Sequence, residues 1–228
     1  MRAWWSEYGT FVVGGVVIGA GLLFGWNYLQ NSERDAEYAA SDLYGDLTDI
    51  VVDANVEEAE AISEQLATDY PDSRYAAQAR LAMARLYMDE NRDLDAADTL
   101  RALIASNASD EFKKVGQIRL AKLLLYQDKA DEVVTLLAGM EEGAFAARAA
   151  DVLGDAYVAL GQIADARDAY QRALAETGNA ATVNQQFVQY KLLDLPVETM
   201  SEEASELPDA VVEEDAIEED AVAEEDAE

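Results

Sequence analysis

Tyr157 and Tyr170 stand out among small residues in the stretch VLGDAYVALGQIADARDAYQRALAE, residues 152–176, and Gly154 sits close by. A glycine inside a helix costs about 1 kcal/mol relative to alanine, so its presence asks for a reason. Two phenols beside a glycine raise the prospect of proton-transfer chemistry. The rest of the composition argues against it. The chain has no histidine and no cysteine. That removes the commonest general base, the commonest transition-metal ligand and all thiolate chemistry. Catalysis would have to run on carboxylates, Lys, Tyr or Ser. A hydrolase built on acidic residues needs a polar cleft with paired carboxylates of raised pKa, and no spacing singles out such a pair. The sequence therefore reads as a non-enzyme, with no catalytic residues, no metal site and no cofactor.

The elements that position these residues point to packing instead. From Asp35 to Leu195 prolines are almost absent, alanine is abundant, and apolar residues recur at three- and four-residue spacing, which predicts helix nearly throughout. Gly154, Tyr157, Ala166, Tyr170 and Ala173 form a template that slides back along the chain. It meets Ala121, Leu124, Val133, Leu137 and Met140, then Ala84, Tyr87, Ala96, Leu100 and Leu103, then Leu47, Ile50, Ala59, Ser63 and Leu66. A period of about 34 residues with two helices per unit is the tetratricopeptide pattern. In that register Gly154 is small because the second helix of its own hairpin crosses close to it. Tyr157 fills the space between the two helices, Tyr170 packs in the next layer, and Gly161 makes the turn.

The expected fold is all-α: an N-terminal transmembrane helix, then a tetratricopeptide-like solenoid of helical hairpins, a capping helix and a disordered acidic tail. The expected limits are a short cytoplasmic segment at 1–8, a membrane helix at 9–29 and a repeat domain at 30–195. Its units fall near 40–73, 77–110, 114–146 and 147–180, with a cap over 181–195 and the tail at 196–228. Solenoid ends need covering, because each unit buries its core only against neighbours. The cap is expected to offer Val183, Phe187, Tyr190 or Leu192, and Leu195. The first helix of each unit lines a concave wall. Its inward positions by register are Gln78, Arg85, Met88, Asp89, Lys122, Leu125, Tyr126, Arg148, Asp151, Asp155 and Val158, a mixture suited to an extended or helical peptide.

The segment GTFVVGGVVIGAGLLFGWNYL, residues 9–29, carries no charge, with Trp4, Trp5 and Tyr8 before it and Trp26 and Tyr28 at its end. Its length as a helix, about 31 Å, matches a bilayer's hydrocarbon core, and the rings suit the two interfaces. The run ends in bulky residues, unlike a cleaved signal peptide. Arg2 places the N-terminus in the cytoplasm and the repeat domain outside it. Gly15 with Gly19, and Gly21 with Gly25, are small-xxx-small pairs at which another membrane helix can approach. The formal charge of −31, from 47 acidic against 16 basic residues, excludes nucleic acid as a partner. The acidic residues crowd into 197–228, which holds no Lys or Arg and is read as solvated and disordered.

Three segments carry a family resemblance: RAWWSEYG running into VVIGAGLLFGWNYLQ, then QIRLAKLLLYQDKADEVVTLL, then EEGAFAARAADVLGDAYVALGQIADARDAYQRAL. In order and spacing, over about residues 2–195, the chain resembles the YfgM family. It differs from the family in the short segment before its tryptophan pair and in its acidic tail. The resemblance implies a single-pass inner-membrane protein with its repeat domain in the periplasm. It implies a non-catalytic partner of the SecYEG translocon and of the periplasmic chaperone PpiD, assisting unfolded or emerging client proteins. The alternative is a membrane-anchored scaffold for another envelope assembly, in division or secretion, with no translocon role.

Overall fold

The computed structural model describes residues 2–175 and 182–196, and their side chains except at 2–13, 16–18, 24, 25, 28, 29, 31 and 33. The chain divides into two units, Met1–Leu195 and Pro196–Glu228. Of the second only Pro196 is described, so the acidic tail lies outside the described residues.

Within the first unit the regular elements among the described residues are all α-helices. They are α1 (Arg2–Val52), α2 (Val56–Asp69), α3 (Arg74–Asp89), α4 (Asp93–Ala105), α5 (Asp110–Tyr126), α6 (Ala130–Leu137), α7 (Ala146–Ala159), α8 (Ile163–Leu174) and α9 (Gln185–Asp194). Each helix packs on the next, and α1, α3, α5 and α7 also stack on one another. That is a solenoid of hairpins, α1–α2, α3–α4, α5–α6 and α7–α8, closed by α9.

One turn is used four times. Ala54, Asn91, Asp128 and Gly161 have positive φ, between 54° and 73°. In each case this residue's N–H bonds three residues back, and the following N–H bonds five back: Asn55 to Ile50, Arg92 to Tyr87, Lys129 to Leu124 and Gln162 to Tyr157. This pair of bonds ties off the first helix with a left-handed residue, which satisfies carbonyls that helix ends leave orphaned. The same four residues, Asn55, Arg92, Lys129 and Gln162, are the N-caps of the second helices. Each hairpin thus reverses within a few residues and brings its two helices into contact.

The contact is close because the facing residues are small. Ala59, Ala79, Ala96, Ala121, Ala156, Ala166, Ala169 and Ala173 are fully buried, and Leu47, Leu66, Leu103, Val133 and Leu137 fill the gaps between them. A leucine or valine so buried contributes about 1.5–3 kcal/mol. Of the positions aligned by the repeat, all are buried except Ile50, Ser63, Tyr87 and Tyr157, which are half-buried. The core runs along the array in three clusters: α1 to α3, α3 to α8, and α7 to α9.

Two features differ from expectation. α1 is one continuous helix of 51 residues, so the stretch expected to cross the membrane and the first helix of the solenoid are a single element. No proline interrupts it. Among the described residues no helix is long and apolar enough to cross a membrane; many side chains of 9–29 lie outside them. The cap, in turn, is rotated from its expected phase. Val188 and Leu195 are buried and Val183 and Leu192 half-buried, whereas Phe187 and Tyr190 are more than half exposed.

Candidate protein-binding site

The tyrosine–glycine constellation is a packing device. A methyl group on Gly154 would collide with Cδ1, Cε1 and Cζ of Tyr170. Tyr170 therefore lies directly on Gly154, within its own hairpin, and belongs to the same buried cluster as Val188 and Leu195 of the cap region. Its hydroxyl donates to Oδ1 of Asp155 at 2.7 Å. Burial, together with that bond and the charges of Asp155 and Asp151, pushes the phenol far above its usual pKa, so it holds its proton at neutral pH. Tyr157 is half-buried against the apolar clusters on both sides. Tyr87, in the equivalent slot two hairpins earlier, donates to Oε1 of Glu60 at 2.9 Å and lies under Arg92, 4.6 Å from its ring centre. Burial and Glu60 raise its pKa to about 12.

The sequence-derived candidates lie along the first helices of the hairpins, and the structure separates them into groups. Arg85 and Met88 of α3 and Lys122 and Tyr126 of α5 line one cleft of about 440 Å³, with Arg119 beside them and Ala84, Leu100 and Leu123 as its floor. Lys122 and Arg119 also line a second cleft of about 380 Å³, shared with Arg148 and Asp151 of α7 and with Val115, Phe145 and Val183. Asp89 sits beside Arg85, with 3.6 Å between their charged atoms and both side chains exposed. Gln78 and Leu125 are half-buried, Leu125 against the central core, and Val158 is exposed; none of the three lines either cleft.

Asp151 and Asp155 are engaged within the protein. Nζ of Lys191, on α9, donates to Oδ1 of Asp151 and Oδ2 of Asp155, each at 2.8 Å. Burial works against the ammonium, but the hydrogen bonds and charges of the two aspartates outweigh it and raise its pKa. The ammonium also lies over the rings of Phe187 and Tyr170, 5.1 and 5.6 Å from their centres. These contacts dock the cap on α7.

Two residues of this region escaped sequence reasoning. Arg119 is three positions before Lys122 and shares its helix face, a spacing that would have placed it there. Lys191 carried no signal of its own, because its partners lie 36 and 40 residues away. A further cavity of about 540 Å³ opens elsewhere, between α4, α5 and α6, and holds none of the candidates. Among the described residues no cluster of acidic side chains is arranged to hold a metal ion.

Comparison with known proteins agrees with this architecture. The family model described as a tetratricopeptide repeat-like domain matches residues 2–197. A protein of Aggregatibacter actinomycetemcomitans named ancillary SecYEG translocon subunit is 29% identical, over 86% of this chain and 94% of its own. Proteins of the same name from Escherichia coli K12 and Haemophilus influenzae are 28% and 25% identical, over 75% and 86% of this chain and 82% and 94% of theirs. A solved structure of tetratricopeptide-like repeats from Podosopora anserina aligns with a TM-score of 0.49 and 20% identity, over 70% of this chain and 82% of that one. With the family model spanning the hairpins and the cap together, the chain belongs to the tetratricopeptide repeat-like domain family, and the resemblance to YfgM read from its sequence is borne out.

Proposed function

We propose that this chain is a membrane-anchored protein-interaction module that associates with the SecYEG translocon and with periplasmic chaperones such as PpiD, and assists proteins emerging from the channel. The observation that carries this reading is the likeness to three ancillary SecYEG translocon subunits over most of their length. The geometry supports a binding role. The concave wall offers clefts lined by mixed basic and apolar side chains. The most reactive-looking constellation, around Tyr170, is consumed in packing.

The anchor is the uncharged stretch at 9–29. Methyl groups added at Gly15 or Gly19, which share a face of α1, or at Gly21, on the opposite side, would meet nothing within 4 Å, which leaves room there for another helix; the surroundings of Gly25 lie outside the described residues. The N-terminus lies in the cytoplasm and the repeat domain in the periplasm, on the strength of Arg2 and of the long domain C-terminal to the anchor.

Affinity purification of the full chain from mild detergent, followed by protein identification, tests this. Recovery of SecY and PpiD is expected. Recovery of division or secretion components without SecY would replace the proposal with a different envelope scaffold. A periplasm-active reporter fused after residue 196 should be active, and its silence would reverse the orientation.

A further inference from the structure

The cleft between α3, α5 and α7 gathers four cations, Arg85, Arg119, Lys122 and Arg148, in an otherwise acidic molecule. Among the described residues outside it, several cations meet carboxylates: Arg74 with Glu37, Arg92 with Glu60 and Asp95, Arg101 with Asp98, Arg172 with Asp168, and Lys191 with Asp151 and Asp155; Arg80, Lys113, Lys114 and Lys129 do not, but none of these lines the cleft. In the cleft, no described carboxylate lies within ion-pair distance of Arg119, Lys122 or Arg148. Among the described residues, Arg119 donates to the carbonyl of Leu81, at 3.1 Å, and Arg148 to the carbonyl of Thr182, at 2.9 Å. Arg85 has only the loose contact with Asp89. Burial, and then the like charge of Arg85, lower the pKa of Arg119. A chain of net charge −31 that keeps uncompensated cations together on a concave surface has a site complementary to anions. The cations do not stand alone. Tyr126 is 73% exposed at the rim, and Met88 lies beside it.

We infer that this cleft binds an acidic peptide segment of a partner protein, with carboxylates between Arg85, Arg119, Lys122 and Arg148 and an aliphatic or aromatic side chain resting on Met88 and Tyr126. The inference rests on the proposed function and specifies the chemistry of the partner. Because the two clefts share Arg119 and Lys122, they form one track across three stacked helices. Neighbouring helix axes lie about 10 Å apart, so the track is about 20 Å long. That accommodates about six residues of extended chain. Guanidinium groups suit the planar carboxylate, and the exposed lysine supplies a point charge. The exposure of most of these groups makes the binding weak and salt-sensitive.

The test uses the full chain in detergent micelles and a fluorescein-labelled glutamate-rich peptide with interspersed leucine and phenylalanine, read by anisotropy. The glutamate peptide should bind. Its glutamine isostere, and a version with serine in place of the apolar residues, should bind at least about tenfold more weakly. The double variant Arg85→Glu/Lys122→Glu should lose about tenfold or more in affinity while its circular dichroism and melting temperature stay unchanged. Raising salt should weaken the wild type and leave the variant flat. Equal binding of the glutamate and glutamine peptides, or an unaltered affinity in a folded double variant, overturns the inference. So does a concentration-dependent dimer that the double variant abolishes, because a second copy would then be the occupant. SecY co-purifying with a wild type that ignores the peptide removes this inference and leaves the proposed function standing. Peptide binding that depends on Arg85 and Lys122, without SecY recovery, supports the cleft chemistry and removes the translocon.

Discussion

Gly154 has no room for a side chain because the ring of Tyr170 occupies it. The neighbouring atoms belong to a rigid ring held by a hydrogen bond to Asp155, so the site has little freedom to relax. Gly154→Ala should destabilise the protein by about 1–3 kcal/mol in urea unfolding. Trimming the ring in the double variant Gly154→Ala/Tyr170→Leu should recover part of the loss, an interaction a double-mutant cycle will register. Ala54 presents the opposite case. It holds φ at 54°, in the place that Asn91, Asp128 and Gly161 take in the other hairpins. A β-carbon there costs about 1 kcal/mol, so Ala54→Gly should raise stability by about 0.5–1 kcal/mol. An unchanged or lower denaturation midpoint would show that the added freedom of the unfolded chain cancels the relief.

Among the elements, α9 is the most instructive. Its sequence carries Phe187, Val188, Tyr190, Leu192 and Leu193 at positions that point all round a helix, so no periodicity selects one buried face. The structure selects Val188 and Leu192, and the ion pairs of Lys191 fix that phase. Long-range charge pairing decides what local pattern leaves open. The hairpins were more legible. Most of the repeat slots that sequence spacing picked out are buried, because each demands a small or apolar side chain where two helices meet; Ile50, Ser63, Tyr87 and Tyr157 are half-buried. The four turn residues, 54, 91, 128 and 161, follow the same intervals as those slots. Arg85, Met88, Lys122 and Tyr126 come together because they share the inward face of adjacent first helices, whereas the pairing of Asp151 and Asp155 depends on a helix that the register does not reach.

The cap also makes a pH prediction. Lys191 has a raised pKa and Tyr170 a strongly raised one in the folded state. A group whose pKa rises on folding stabilises fully below its unfolded pKa and loses that contribution as pH climbs through the folded value. The reference values are 10.5 for the lysine and 10.0 for the tyrosine. Cap docking should therefore be flat across neutral pH and weaken only in the alkaline range above about 10. Lys191→Met leaves two partly buried carboxylates without their cation and should cost about 1–3 kcal/mol at pH 7. Urea melts of wild type and variant should then converge as pH rises past about 10, and a constant gap would show that the ammonium's charge is not what holds the cap.

For the whole molecule, the governing feature is α1, which extends for about 75 Å without a joint. A helix turns by about 100° per residue, so its register is also a compass bearing. If 9–29 is fixed in a bilayer, one residue inserted between 30 and 36 swings the heading of the mouth formed by Arg85 and Lys122 through that angle. About seven inserted residues complete two turns and bring it nearly back, at a greater height above the lipid. If the proposed association with the translocon holds and uses this mouth, photocrosslinking to SecY from position 126 should collapse with the first insertion and return with the second. The protein would then be pointing at its target as well as tethered near it.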